Sequence, residues 1–190
     1  MRIIIGPIFL FLYLDYENLN LSAQTLPYAL FLLFCLSEVS DALDGFLARK
    51  YNEVTDLGKL LDPMADSIYR ISVFLTFTLP PVNLPMILIF ILLYRDSVIS
   101  TLRTICALKG FALAARSSGK IKAVVQAISA LIIILLLIPY SLGSLTQASL
   151  HWISTITVSI AALYTFASGV EYIYANRKYI LMSLKNEPRG

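Results

Sequence analysis

Ser40-Asp41-Ala42-Leu43-Asp44-Gly45-Phe46-Leu47-Ala48-Arg49 is followed, after a short polar break, by Asp56-Leu57-Gly58-Lys59-Leu60-Leu61-Asp62-Pro63-Met64-Ala65-Asp66. At 100° per residue, Asp41, Asp44, Gly45 and Ala48 share an arc of about 100° on one helix. Gly58, Asp62 and Asp66 share a similar arc on the next. The break at Tyr51–Asp56 turns the chain back, so two carboxylate pairs face each other across an antiparallel helix hairpin.

Outside this hairpin the chain is apolar. Its 190 residues are 58% hydrophobic and 14% charged, with a mean hydropathy of +0.77, a balance in which the bilayer is the expected solvent. Apolar runs extend over about Ile3–Leu14, Thr25–Leu36 (continuing into a polar helix end), Leu60–Leu79, Leu84–Leu108, Ile121–Tyr140 and Trp152–Tyr174. A helical span needs roughly 20 apolar residues, and the absence of short alternating segments disfavours a barrel. The reading is an all-α integral membrane protein of six transmembrane helices in a single domain, 1–190, with a short or tilted first helix. There is no internal repeat.

Charge sets the orientation. Arg49, Lys50 and Lys59 flank the second break; Lys109, Arg116, Lys120 and Lys122 flank the fourth; Arg177, Lys178, Lys185 and Arg189 lie in the tail. The first, third and fifth breaks contain no lysine or arginine. By the positive-inside rule both termini are cytoplasmic, and the acidic hairpin sits at the cytoplasmic end. The net charge of +3 gives no reason to expect nucleic acid. Cys35 and Cys106 are read as reduced packing residues and His151, beside Trp152, as interfacial.

Four carboxylates in a low-dielectric bundle stay ionised together only if cations neutralise them. All-oxygen donors favour a hard divalent ion, Mg²⁺ or Mn²⁺, and two pairs suit two ions stabilising the attacking and leaving oxygens of a phosphoryl-type displacement. Asp41, Asp44, Asp62 and Asp66 are the candidate ligands. Gly45, Ala48 and Gly58 clear the same faces for a ligand, or for close helix packing. The simplest alternative pairs the acids with Arg49, Lys50, Lys59 or Arg70 to stabilise the bundle, but four acids at matched spacing exceed that need.

The pattern D-x-x-D-G-x-x-A-R, eight residues, G-x-x-x-D-x-x-x-D from Asp41 to Asp66 resembles the signature of the CDP-alcohol phosphatidyltransferase family. The resemblance implies a six-helix bundle, commonly a homodimer, that moves a phosphatidyl group from CDP-diacylglycerol to an alcohol and releases CMP. It implies that Asp41, Asp44 and Asp62 chiefly bind two metals, that Asp66 is the base and a further ligand, and that Gly45, Ala48, Arg49 and Gly58 frame the cytidine diphosphate.

The later chain is similar to the branch that uses glycerol-3-phosphate, through Tyr94-Arg95-Asp96, Arg103 and Ala115–Lys122 with Gln126, together with Arg2 and Pro7. That makes Arg103, Arg116, Lys120 and Lys122 the candidate acceptor-phosphate residues. Ser118 is expected to cap the fifth helix, and amides there would add to a phosphate site. Asp96, Ser100 and Arg103 share a face, so Asp96 is expected to orient Arg103, with a structural Arg95–Asp96 pair as the alternative. Arg70, one turn beyond Asp66, is a candidate partner for Asp66 or Asp96. Two departures stand out: the branch's common lysine after the last aspartate is Ser67 here, and the family's amphipathic segment before the first span has no counterpart in this sequence. Inositol phosphate, serine or phosphatidylglycerol are the competing acceptors, and a cation transporter is the competing class. The expected location is the bacterial inner membrane, with the active site facing the cytoplasm.

Overall fold

The computed structural model describes residues 2–50, 56–109 and 117–184, with side chains described outside 44, 46–49, 56–63, 107 and 183–184. These residues form six helices: α1 Arg2–Asp15, α2 Leu26–Lys50, α3 Asp56–Thr76, α4 Met86–Leu108, α5 Ser117–Ser141 and α6 Gln147–Leu184. One helix arises from each expected apolar run. The largest shifts are at α3, which begins with the polar residues before Leu60, and at α6, which continues from Tyr174 to Leu184.

Three of the six, over Leu26–Leu43, Ser117–Ser141 and Gln147–Met182, are long and apolar enough to cross a membrane by length and composition. The others fall short for visible reasons. The 14 residues of α1 rise only about 21 Å, α3 carries Asp62, Asp66 and Arg70, and α4 carries Arg95, Asp96 and Arg103. The charges that weaken α3 and α4 as hydrocarbon-facing spans are the residues of interest for function.

α3 packs against α1, α4 and α5, and α5 against α2, α3 and α6; α2 also packs against α1, and α6 against α4. The α1–α3 contact depends on Gly6, where a Cβ would lie 3.1 Å from Ser72 Cβ. Below that crossing Phe9 meets Phe77 edge to face at 5.8 Å and Tyr13 meets Phe77 at 6.2 Å, a geometry favoured by the ring quadrupoles. Leu30, Val73, Phe74, Leu92, Ile133, Ile134 and Leu150 complete a dry core. Outward-facing side chains are also large and apolar, including Ile4, Leu163 and Phe166, each more than 60% exposed. A chain apolar inside and outside suits lipid rather than water.

At one end the turns are tight: Asn20 and Asn83 take positive φ (57° and 55°) and Gly143 takes 76°, the left-handed region that these residue types tolerate best. His151 Nδ1 lies 3.2 Å from the Val82 carbonyl, joining the start of α6 to the α3–α4 loop.

Candidate active site

Two aspartates of the hairpin converge on a third helix. Arg2, at the first turn of α1, is 93% buried, and its guanidinium pairs with Asp41 at 3.1 Å, with Glu38 at 3.3 Å and with Asp66. Its carbon lies 5.8 Å from the Tyr69 ring centroid, within cation–π range. Asp41 on α2 and Asp66 on α3 therefore meet at one cation supplied by α1, which packs against both helices, whereas α2 and α3 do not pack directly on each other among the described residues. Glu38, one turn before Asp41, joins through the same i, i+3 spacing.

Asp66 has a second cation. Arg70 Nη2 lies 2.6 Å from Asp66 Oδ2 across one helical turn, and Arg70 also donates to the Ala123 carbonyl of α5. Of the two partners weighed for Arg70, it takes Asp66. Asp66 is about one quarter exposed and Asp41 about half, so both carboxylates are within reach of a ligand.

Asp44 and Asp62 have helical backbones in α2 and α3, and their side chains lie outside the described residues, as do those of Ala48, Arg49 and Gly58. Among the described residues no three His, Cys, Asp or Glu side chains form a metal-binding group. The oxygen donors among the described side chains are Asp41 and Asp66, both partly accessible, and the buried Glu38 Oε1 close by has no hydrogen-bond partner among the described residues. This donor chemistry fits a hard divalent cation.

One turn of α3 links this cluster to the basic region. Next to Asp66, Ser67 donates to Asp96 Oδ2 at 2.9 Å. Asp96 is buried and also accepts two bonds of 2.8 Å from Lys122 Nζ and one of 3.0 Å from Arg95 Nη1. Arg95 Nη2 reaches Ser168 Oγ on α6 at 3.1 Å. The Arg95–Asp96 pair weighed in the sequence is present, but the carboxylate turns to Lys122 rather than to Arg103. Arg103 lies instead over Tyr172 of α6, at 5.8 Å.

Of the candidate acceptor residues, Lys120 is exposed in the first turn of α5, Lys122 is buried against Asp96, Arg103 is partly buried on α4, and Arg116 lies outside the described residues. Ser118 does not cap α5: the helix already starts at Ser117, and Ser118 Oγ has no hydrogen-bond partner among the described residues. Sequence reasoning passed over two connections. Arg2 enters the sequence reading only through the resemblance, and Ser67 only as a departure from it. Periodicity along single helices cannot reveal that α1 delivers a cation to the α2–α3 hairpin.

Residues 1–165 match the family model described as CDP-alcohol phosphatidyltransferase. The chain is 32% identical over 184 residues to the CDP-diacylglycerol–glycerol-3-phosphate 3-phosphatidyltransferase of Bacillus subtilis (strain 168), covering 92% of this chain and 90% of that protein. It is 33% identical over 150 residues to the protein of the same name from Rickettsia felis, covering 78% of each. A stretch of 68 residues is 44% identical to a CMP-forming cardiolipin synthase of Streptomyces coelicolor, covering 36% of this chain and 31% of that one.

Proposed function

The chain belongs to the CDP-alcohol phosphatidyltransferase family, and from that premise we propose that it transfers the phosphatidyl group of CDP-diacylglycerol to glycerol-3-phosphate. The products are CMP and phosphatidylglycerophosphate, a step of phospholipid biosynthesis. The observation that carries the acceptor is the likeness, over about nine-tenths of both chains, to a protein named for that reaction.

In this reading Asp66 accepts the proton of the glycerol-3-phosphate hydroxyl as its oxygen bonds to the lipid-linked phosphorus and the bond to the CMP oxygen breaks. Arg2 and Arg70 fix both oxygens of Asp66, so the base is oriented before the acceptor arrives. Asp41, Asp44, Asp62 and Asp66 would hold two Mg²⁺ or Mn²⁺ ions, which when bound neutralise the diphosphate and the departing charge. Gly45, Ala48, Arg49 and Gly58 would frame the cytidine diphosphate. Arg103, Arg116, Lys120 and Lys122 would receive the acceptor phosphate.

The helices would form six spans with both termini cytoplasmic and the site at the cytoplasmic face of a bacterial inner membrane. There a water-soluble acceptor enters while the acyl chains remain in the bilayer. A homodimer is the proposed assembly.

Phosphatidylglycerol is the second acceptor to consider, because of the short match to a cardiolipin synthase. The test is CMP release by purified protein given CDP-diacylglycerol and Mg²⁺ with glycerol-3-phosphate, phosphatidylglycerol, inositol phosphate or serine, with and without a chelator. Glycerol-3-phosphate should be preferred and chelation should abolish turnover. Preference for another acceptor sinks the branch assignment, and metal-driven cation flux without CMP release would favour a transporter.

A further inference from the structure

Asp96 has no assigned part in the chemistry, yet its buried carboxylate accepts hydrogen bonds from Ser67 of α3, Arg95 of its own helix and Lys122 of α5. Two cations meet this one carboxylate, a local surplus of one positive charge offset only by the neighbouring cluster, where Glu38, Asp41 and Asp66 face Arg2 and Arg70. Such a surplus is stable when a further anion comes within reach.

Lys122 spends two short bonds on Asp96, so its ammonium has a fixed direction and one donor without a partner among the described residues. The second cation is aligned from α6: a Cβ at Gly169 would lie 2.8 Å from Arg95 Cγ, so any larger residue there would displace the Arg95 side chain. Ser67, bonded to the same carboxylate, directly follows Asp66 in the chain, and Arg70 ties Asp66 to α5 one residue beyond Lys122.

We propose that Asp96 is a positioning residue for the phosphate of the acceptor, holding the Lys122 ammonium in register with the turn of α3 that carries Asp66. This rests on the reading that the acceptor is a phosphorylated alcohol. Asp96 touches neither substrate; it sets where the phosphate-binding cation stands relative to the base, and so where the acceptor hydroxyl falls.

The experiment uses the full chain in mixed micelles containing CDP-diacylglycerol, with glycerol-3-phosphate varied. Asp96→Asn should raise the KM for glycerol-3-phosphate by about tenfold or more, the size of one charge-assisted phosphate contact, and change the KM for CDP-diacylglycerol by less than about threefold. Lys122→Met should do the same. The double variant should be no worse than Lys122→Met alone, because the two residues act as one unit. It also leaves one buried cation, Arg95, facing the neutral amide where Asp96→Asn alone leaves two, so it retains the fold better than the single variant. Ser67→Ala, which removes one hydrogen bond and no charge, should raise the same KM by about threefold.

Independent, additive effects of Asp96→Asn and Lys122→Met would overturn the proposal. So would an unchanged KM with a lowered kcat and unfolding temperature, the mark of a purely structural pair. A fall in KM would mean that Asp96 only screens the cations, and would overturn it equally. Failure of the acceptor reading is seen separately, in the parent protein, as no preference for the phosphorylated alcohol.

Discussion

Asp66→Asn separates base chemistry from binding more cleanly than any other substitution. The amide keeps the shape of the carboxylate but cannot accept a proton. Asp66 is held by Arg70 at 2.6 Å and by Arg2, so the change also weakens two charge-assisted contacts, each worth about 1.5–3 kcal/mol in a buried setting. The neighbours are not stranded. Arg2 retains Asp41 at 3.1 Å and Glu38 at 3.3 Å, and Arg70 retains the Ala123 carbonyl. The fold should survive with a lowered unfolding temperature. A general base contributes about 10²–10⁴-fold, equivalent to roughly 3–5 kcal/mol of barrier. The assay is CMP release under single turnover, with CDP-diacylglycerol binding measured in parallel at saturating Mg²⁺. Turnover should fall by about 10²-fold or more while nucleotide-lipid binding persists. CMP release within about threefold of the parent would remove Asp66 from the base role.

Further outcomes follow from individual contacts. On a background lacking Cys35 and Cys106, Ser144→Cys should be labelled from outside intact cells and Ser117→Cys only after permeabilisation; outside labelling at residue 117 would refute the proposed orientation. Gly6→Leu drives a side chain into Ser72, which a bare Cβ already approaches to 3.1 Å, and should cost about 1–3 kcal/mol of stability, read as a lowered unfolding midpoint in detergent; an unchanged midpoint would mean that α1 and α3 separate freely there. Lys120→Ala, at an exposed position in the first turn of α5, should raise the KM for glycerol-3-phosphate by about tenfold while sparing that for CDP-diacylglycerol. An unchanged value would leave Lys120 as a topology-setting charge.

The sequence by itself determined the helical class, because long apolar runs can satisfy their backbone groups in lipid only as helices or closed barrels, and no alternating segments are present. The 3.6-residue period put Asp41 and Asp66 on defined arcs of α2 and α3, but it is Arg2 of α1, packed against both helices, that joins them. The Asp66–Arg70 pair was legible from the same period: four residues along a helix is a contact. The helix ends were less legible. α6 runs past Tyr174 to Leu184 because Tyr172, Asn176 and Ile180 remain buried, a continuation that hydropathy does not register. What only the tertiary structure decided were the partners across helices. Asp96 turned to Lys122, although Arg103 shares its face, and Ser67 and Arg2 acquired partners on other helices. A single-sequence periodicity fixes which residues share a helical face. Which face meets which is set by the packing of six helices at once, through contacts as local as Gly6 on Ser72 and Gly169 on Arg95, and a buried charge then takes the nearest opposite charge that this packing brings to it.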